Sequence, residues 1–110
     1  MTEMLLVFTT FAREEDAERV VRALLEERLI ACGNLLPGAR SLYRWKGAIE
    51  AADEVVMIVK TRASLAERVT VAVKENHSYE TPAVLVLPVS GGNQSFIDWI
   101  LAETEPSGRT

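Results

Sequence analysis

The chain has 110 residues, 48% of them apolar, with 16 acidic and 12 basic side chains and a formal net charge of -4. This length predicts a single domain over residues 1–110, and such a domain buries about two-thirds of the surface of its unfolded chain. Lys and Arg are dispersed among Glu and Asp, whereas binding to a phosphate backbone depends on a basic stripe. We therefore expect no nucleic-acid partner.

The compartment is predicted from what the chain lacks. The single cysteine, Cys32, allows no internal disulfide. No charged and then apolar leader is evident, and no apolar run approaches the roughly 20 residues of a membrane-spanning helix. We expect a cytoplasmic protein with no membrane partner.

The first two elements follow from hydrophobic periodicity. The uninterrupted apolar run at residues 4–10 predicts a strand buried on both faces. Apolar side chains then recur with helical spacing over residues 17–25, with Arg28 at the next position of the stripe, which predicts a helix with one face on the core. Gly33 is predicted to end this helix.

A long hairpin is predicted for residues 31–61, with a tight turn at Lys46-Gly47. Residues 35–45 alone would extend about 35 Å, whereas a common strand extends roughly 17 to 20 Å. Pro37-Gly38 predicts a bulge or bend at an edge, because Pro cannot donate a ladder hydrogen bond. Polar residues near the turn and the apolar run at residues 55–59 predict a solvated tip and a buried base.

The rest of the chain predicts a helix, a strand and a last short helix. Residues 64–67, SLAE, match a capping box that would open the second helix. Residues 83–89 predict another strand buried on both faces. Asn93 is predicted to cap the last helix, with Phe96 facing inward, and residues 104–110 are predicted to fray.

This order predicts an α+β fold, the ferredoxin-like βαββαβ antiparallel sheet with an extra C-terminal helix and a long overhanging hairpin. The two main helices should cover one face of the sheet. The overhanging edge carries Tyr43 and Trp45 and invites pairing with another chain. The hairpin therefore predicts a homo-oligomer, with packing at the interface favoured over ligand stacking for both aromatic residues.

Several functions that this fold can carry are excluded by missing motifs. The predicted strand at residues 55–61 has no aromatic residue of the kind an RNA-recognition domain uses. A single cysteine does not supply the paired thiols of a heavy-metal carrier. Gly91-Gly92 lacks the flanking residues of a phosphate-binding loop.

A few side chains remain as candidates for chemistry. Cys32 is either a thiolate nucleophile or soft-metal ligand, or a small buried hydrophobic residue, which is the more common use. His77 is either a ligand or acid–base group, or a solvated residue at a helix end. Lys60, Tyr79 and Glu80 are candidates for the lining of a cleft, although Lys60 and Glu80 are of types more often found at the surface.

Three runs of residues carry a family resemblance: ACGN at residues 31–34, SLYRWKG at residues 41–47 and HSYETP at residues 77–82. Together they resemble the CutA divalent-cation tolerance family over nearly the whole chain. The resemblance implies a PII-like homotrimer in which long hairpins pair between subunits, with Tyr43 and Trp45 at the trimer interface. It also implies a link to tolerance of copper and other divalent cations, and no enzymatic activity.

The resemblance further implies a divalent metal ion such as copper at a cleft between subunits, with His77 and Cys32 as the ligands in this chain. Relatives of the copper-binding kind have a Cys near the end of the first strand and a second His before the position of His77. Thr9 and Asn76 occupy those positions here. Two alternatives stay open: a PII-like regulator that binds a small molecule or a partner protein instead of a metal, and an enzyme that uses Cys32 or His77.

Overall fold

The computed structural model describes residues 2–104. In chain order the elements are β1 (Met4–Phe11), α1 (Glu14–Glu26), β2 (Cys32–Trp45), β3 (Ala48–Arg62), a 3-10 turn (Ala63–Leu65), α2 (Ala66–Glu75), β4 (Val84–Pro88) and α3 (Gln94–Glu103). The strands form one antiparallel sheet in the order β2-β3-β1-β4. The predicted βαββαβ arrangement with an extra C-terminal helix is confirmed. No helix within residues 2–104 is long and apolar enough to span a membrane.

One face of the sheet, which we call the helix-covered face, packs against α1 and α2. Its side chains alternate along β1 and β3 with those of the other face, because successive strand residues point to opposite sides. The fully buried core residues on this side are Val7, Phe11, Ala17, Met57, Val59, Val69 and Val73. The prediction of two helices on one face is therefore confirmed.

The opposite face is covered only at one end. There Met4 packs against Ile97 and Ile100 of α3. The rest, which we call the open face, carries apolar side chains from all four strands: Phe8, Leu36, Val56, Ile58, Leu85 and Leu87. Leu36 is 48% exposed and Leu85 is 58% exposed, so a continuous apolar surface faces outward.

The hairpin of β2 and β3 overhangs the sheet as predicted. Pairing between β1 and β3 stops at Phe11 opposite Val55, so residues 48–54 of β3 pair with β2 alone. At roughly 3.3 Å per residue this free part is about 23 Å long. The chain measures 46 × 27 × 21 Å along its principal axes. The base of β3 is buried and the tip is exposed, which confirms the predicted change along the hairpin.

Backbone geometry explains the turn and the bulge. Lys46 and Gly47 both have positive φ, 51° and 84°, as in the two-residue turns that match the twist of paired strands. The register of β2 against β3 shifts between Leu36 and Ala39. The predicted turn and bulge are both confirmed.

Gly33 does not end α1, so that prediction was wrong. The helix ends at Glu26, and Arg28 takes the left-handed conformation, with φ of 59°, that closes its C-terminal end. Gly33 instead lies in β2 opposite Val59. A Cβ atom there would lie 3.1 Å from a methyl carbon of Val21, so this glycine allows α1 to approach the sheet closely.

The predicted capping box at residues 64–67 does not form. The 3-10 turn takes up Ala63–Leu65, which places Ser64 inside a turn and makes Leu65 the residue before α2, with no side-chain cap. Asn93 does cap α3, where its Oδ1 accepts a hydrogen bond from the Ser95 amide at 3.1 Å.

Two predictions of burial were also wrong. β4 is an edge strand, and Leu85 and Leu87 point to the open face, so they are exposed instead of buried. Phe96 is 41% exposed because Ile97 and Ile100 occupy the inward positions of α3. Thr104, predicted to fray, is buried and donates a hydrogen bond to the Ile100 carbonyl at 2.8 Å. Residues 105–110 lie outside the described part of the chain.

Candidate functional site

The loop that follows α2 carries His77 back over the end of β1. Its Nε2 lies 2.7 Å from the carbonyl oxygen of Thr10, and its Nδ1 accepts a hydrogen bond from the Tyr79 backbone amide at 3.0 Å. The ring stacks on Phe11 with centroids 4.1 Å apart. Because a carbonyl can only accept and an amide can only donate, these partners select the tautomer with its proton on Nε2.

Glu54 is the centre of the polar contacts at this end of the sheet. The Ser41 hydroxyl donates to Glu54 Oε1 at 2.6 Å, and the Tyr79 hydroxyl donates to Glu54 Oε2 at 2.7 Å. These bonds join β2, β3 and the loop that carries His77. We refer to Thr10, Ser41, Glu54, His77 and Tyr79 as the Glu54 cluster.

The protonation states of Glu54 and Tyr79 depend on each other. Burial raises the pKa of Glu54, but hydrogen bonds from Ser41, Tyr79 and Thr10, together with the nearby His77, outweigh burial and hold that pKa below its ordinary value. Burial, followed by the hydrogen bond and the charge of Glu54, raises the pKa of Tyr79 to about 12. An ionised carboxylate and a protonated phenol therefore coexist at neutral pH.

Cys32 and Lys60 lie at the other end of the open face. They are opposite each other in the β2–β3 register. Cys32 is half-buried and packs against the cluster beneath α3. The Lys60 ammonium donates to the Asn34 side-chain oxygen at 2.5 Å and lies 6.0 Å from the centre of the Phe96 ring.

The structure does not bring Cys32 and His77 together within one chain. Cys32 aligns through Lys60 with Leu6 of β1, whereas His77 contacts Thr10, four residues further along the strand. That separation is about 13 Å at roughly 3.3 Å per residue. Within residues 2–104, no group of three or more His, Cys, Asp and Glu side chains could hold a metal ion. A metal bound by both residues would need more than one copy of the chain.

The remaining predicted site residues lie near the surface. Tyr43 is 44% exposed and Trp45 is 52% exposed on the hairpin, and the Lys46 ammonium lies 5.8 Å from the Trp45 ring. Glu80 is exposed in the loop after α2. Tyr43 lies two residues beyond Ser41 on the same strand, so it shares a face with the Glu54 cluster.

Sequence reasoning identified His77 and Tyr79 but missed Glu54, Ser41 and Thr10. The signal for Glu54 is its position as the last polar residue before the apolar run at residues 55–59. A carboxylate at the boundary between the solvated and the buried part of a strand is half-desolvated, which gives a reason to look for partners.

The fold and this site together define a class: small α+β proteins in which a four-stranded antiparallel sheet carries three helices, one uncovered apolar face and an overhanging hairpin. Comparison with known proteins identifies the family within that class. The profile of the family described as CutA1 divalent ion tolerance protein matches residues 5–103. The chain therefore belongs to the CutA1 divalent ion tolerance family.

Individual relatives agree with this assignment. The chain is 44% identical over 102 residues to the divalent-cation tolerance protein CutA of Pyrococcus horikoshii, covering 93% of this chain and 99% of that protein. It is 37% identical to the chloroplastic protein CutA 1 of Oryza sativa, covering 94% of this chain but only 58% of that protein. The crystal structure of CutA from Xylella fastidiosa superposes on this chain with a TM-score of 0.92 at 35% identity. The match covers 94% of this chain and 100% of that one.

Proposed function

We propose that the chain is the subunit of a non-enzymatic, cytoplasmic homotrimer that acts in tolerance of divalent cations. The tolerance role is taken from the names of relatives such as the Pyrococcus horikoshii protein. The open face is the single observation that carries the assembly. Its exposed leucines, Leu36, Leu85 and Leu87, form a contiguous apolar surface of the kind that marks an interaction site.

The hairpin supplies the second half of the proposed interface. The tip of β2, with Tyr43 and Trp45, has no neighbouring strand on its outer edge within residues 2–104. An edge of this length pairs readily with another chain. The number three and the PII-like layout come from the family resemblance. Native mass spectrometry is expected to give three times the 12.2 kDa mass of the chain, and a monomer at the same concentration would overturn the assembly.

The metal contacts of the proposed function lie between subunits. Cys32 and His77 are too far apart in one chain to share an ion, so each would contribute from a different copy. His77 would bind a metal through Nδ1 only by giving up the Tyr79 amide hydrogen bond. We place Lys60, Tyr79 and Glu80 in the lining of these clefts.

Calorimetric titration of the assembled protein with Cu(II) tests these contacts. His77→Ala and Cys32→Ser are each expected to weaken binding about tenfold or more, because each removes a ligand. Ser78→Ala, an exposed neighbour in the His77 loop, is the control and should bind as the parent does. Equal affinity in all four proteins would place the metal elsewhere.

The same mass spectra address the alternative function. A small molecule retained by the native assembly, with no bound metal, would favour a PII-like regulator. Metal without a retained small molecule would favour the tolerance role.

A further inference from the structure

Glu54 is a half-buried carboxylate that forms no ion pair among residues 2–104, and His77 is the one titratable base that lowers its pKa. The five ion pairs in that range are Arg13–Glu15, Arg19–Asp16, Arg22–Glu18, Arg28–Glu103 and Arg40–Asp53. The adjacent Asp53, which points to the other face of the hairpin, is thus paired, whereas Glu54 receives only hydroxyl hydrogens. A charge held away from water is normally balanced by an opposite one.

The hydrogen-bond directions restrict what can balance this charge. The hydroxyls of Ser41 and Tyr79 each donate their single hydrogen to Glu54. They can therefore offer only oxygen lone pairs to a ligand. The cluster presents a negative charge and a set of acceptors, and both features repel an anion such as phosphate.

Aromatic side chains flank the carboxylate. Tyr43 lies two residues beyond Ser41 on the same face of the hairpin, and the Tyr79 hydroxyl reaches Glu54 on that face, so both phenols lie on one side of the hairpin. Between them the strands carry small residues, since Ala52 lies opposite Ser41 and Ala39 lies opposite Glu54. Aromatic faces attract cations through their ring quadrupoles. Apart from Glu54 itself, these two strand pairs place no large side chain between the rings.

From this geometry we infer that the Glu54 cluster and Tyr43 form a binding site for a nitrogen cation, an ammonium or guanidinium group with several N–H donors. Such a group supplies both the missing positive charge and the donors that the hydroxyl oxygens lack. A hard divalent ion fits less well, because one carboxylate falls short of the six or so oxygens that calcium or magnesium takes. The cation is either a free small amine or guanidine, or a Lys or Arg side chain of a second copy.

The test compares the intact protein with Glu54→Gln, which keeps the shape of the side chain and removes its charge. Asp53→Asn is the matched control, because it removes one charge from the next residue on the opposite face. Methylguanidinium, methylammonium and tetramethylammonium are titrated at constant ionic strength, and the ring signals of Tyr43 and Tyr79 are followed by NMR. Tetramethylammonium has the charge but no N–H donor.

If a free cation binds, methylguanidinium and methylammonium shift both rings with saturation in the parent protein, and tetramethylammonium does so at least about tenfold more weakly. Glu54→Gln loses about tenfold or more in affinity, and Asp53→Asn stays within about twofold. If a second copy supplies the cation, the rings do not respond to added amine, but Glu54→Gln raises the dissociation constant of the assembly about tenfold while Asp53→Asn does not.

Three results would overturn the inference. In the first, the parent and Glu54→Gln proteins show the same titrations and the same dissociation constant. In the second, Mg²⁺ or Ca²⁺ gives the saturable response and the amines do not. The third applies if Glu54→Gln does not fold, and it uses Tyr79→Phe, which keeps the charge of Glu54 and removes one acceptor. Unchanged affinity for methylguanidinium and unchanged assembly in that variant would overturn the inference. The titrations contain no copper and change neither Cys32 nor His77, so failure of this inference is distinguishable from failure of the metal contacts. The measurement of the dissociation constant rests on the proposed assembly.

Discussion

The two faces of the sheet are built from the same strands, but only one of them is covered by helices along its length. On the helix-covered face, Val7, Met57 and Val59 have no exposed surface, because α1 and α2 cover them. The neighbouring residues along the same strands point to the open face, where apolar side chains remain exposed, up to 58% for Leu85. The contrast shows that apolar composition alone does not mark the core of a chain. One face is completed by the chain itself, and the other is the surface that the proposed assembly would bury.

The largest expected effect comes from placing a charge on the open face. Leu85→Glu should leave the subunit folded, since Leu85 is already exposed, but should prevent assembly because a carboxylate would be buried in an apolar interface. Sedimentation velocity is expected to show a particle of 12.2 kDa, the mass of one chain. Val71→Glu, at a residue 46% exposed on α2, is the control and should keep the parent mass. Unchanged assembly in Leu85→Glu would remove the open face from the interface.

On the helix-covered face, α1 packs closely against the sheet at Gly33. Gly33→Ala would place a methyl group 3.1 Å from Val21 and 3.2 Å from Val59, and such overpacking costs about 1–3 kcal/mol of unfolding free energy. Urea denaturation of Gly33→Ala and the parent protein measures this loss of unfolding free energy. Gly91→Ala, where no atom lies within 4 Å of the added carbon, is the control. A Gly33→Ala protein as stable as the Gly91→Ala protein would mean that α1 shifts at little cost.

Thr9 is a polar exception on the same face. Its hydroxyl is buried and has no hydrogen-bond partner within residues 2–104. Thr9→Val replaces it with a methyl group of similar shape and should stabilise the fold by about 1 kcal/mol. Thr61→Val is the opposite case, because the Thr61 hydroxyl donates to the Leu29 carbonyl at 2.6 Å. The midpoint temperature of thermal unfolding should rise for Thr9→Val and fall for Thr61→Val. A shift in the same direction for both variants would contradict the stated difference between the two hydroxyls.

The smallest effect is spectroscopic and concerns the Glu54 cluster. In a Tyr43→Phe protein, Tyr79 is the remaining tyrosine of the two in the chain. Its ultraviolet titration should have a midpoint well above the ordinary 10.0, because burial and Glu54, the main causes that raise its pKa to about 12, remain. The stability contributed by the Tyr79 proton is thus present below pH 10.0 and is lost between pH 10.0 and about 12.

The carboxylate of Glu54 has the opposite pH dependence. Its pKa is lowered from 4.5, so its contribution is present above that pH and is lost as the pH falls below it. Adding Glu54→Gln to the Tyr43→Phe protein should move the Tyr79 midpoint back toward 10.0. A midpoint that does not respond to Glu54→Gln would mean that burial alone raises the pKa of Tyr79.

Much of the fold could be predicted because it depends on local patterns. The helical spacing of α1, the Lys46-Gly47 turn and the Pro37-Gly38 bulge each follow from neighbouring residues. The exposure of β4 could not be predicted in this way. An apolar strand has the same sequence pattern whether a helix of its own chain or another molecule covers it.

The candidate site was predicted only in part for a similar reason. His77 and Tyr79 stand out by residue type in a loop. Glu54 matters because of partners 13 and 25 residues away, Ser41 and Tyr79, and no short-range spacing encodes those contacts. Only the strand register and the return of the loop bring the three together.

The bulge at Pro37-Gly38 has a further consequence for this site. Before it, even-numbered residues of β2 such as Leu36 share a face with Val56, and after it odd-numbered residues such as Ser41 lie opposite Ala52. One additional residue thus inverts the phase of the strand. If the same sequence continued in the register of Leu36 and Val56, Ser41 would lie opposite Ala51, and Ser41 and Tyr43 would project from the side of the hairpin opposite to Glu54. The bulge therefore joins two registers in one strand, one set by the buried base and the other by the Lys46-Gly47 turn. Deleting Gly38 would remove the bend but leave Ala39 opposite Glu54, so Ser41 and Tyr43 would stay on the Glu54 face.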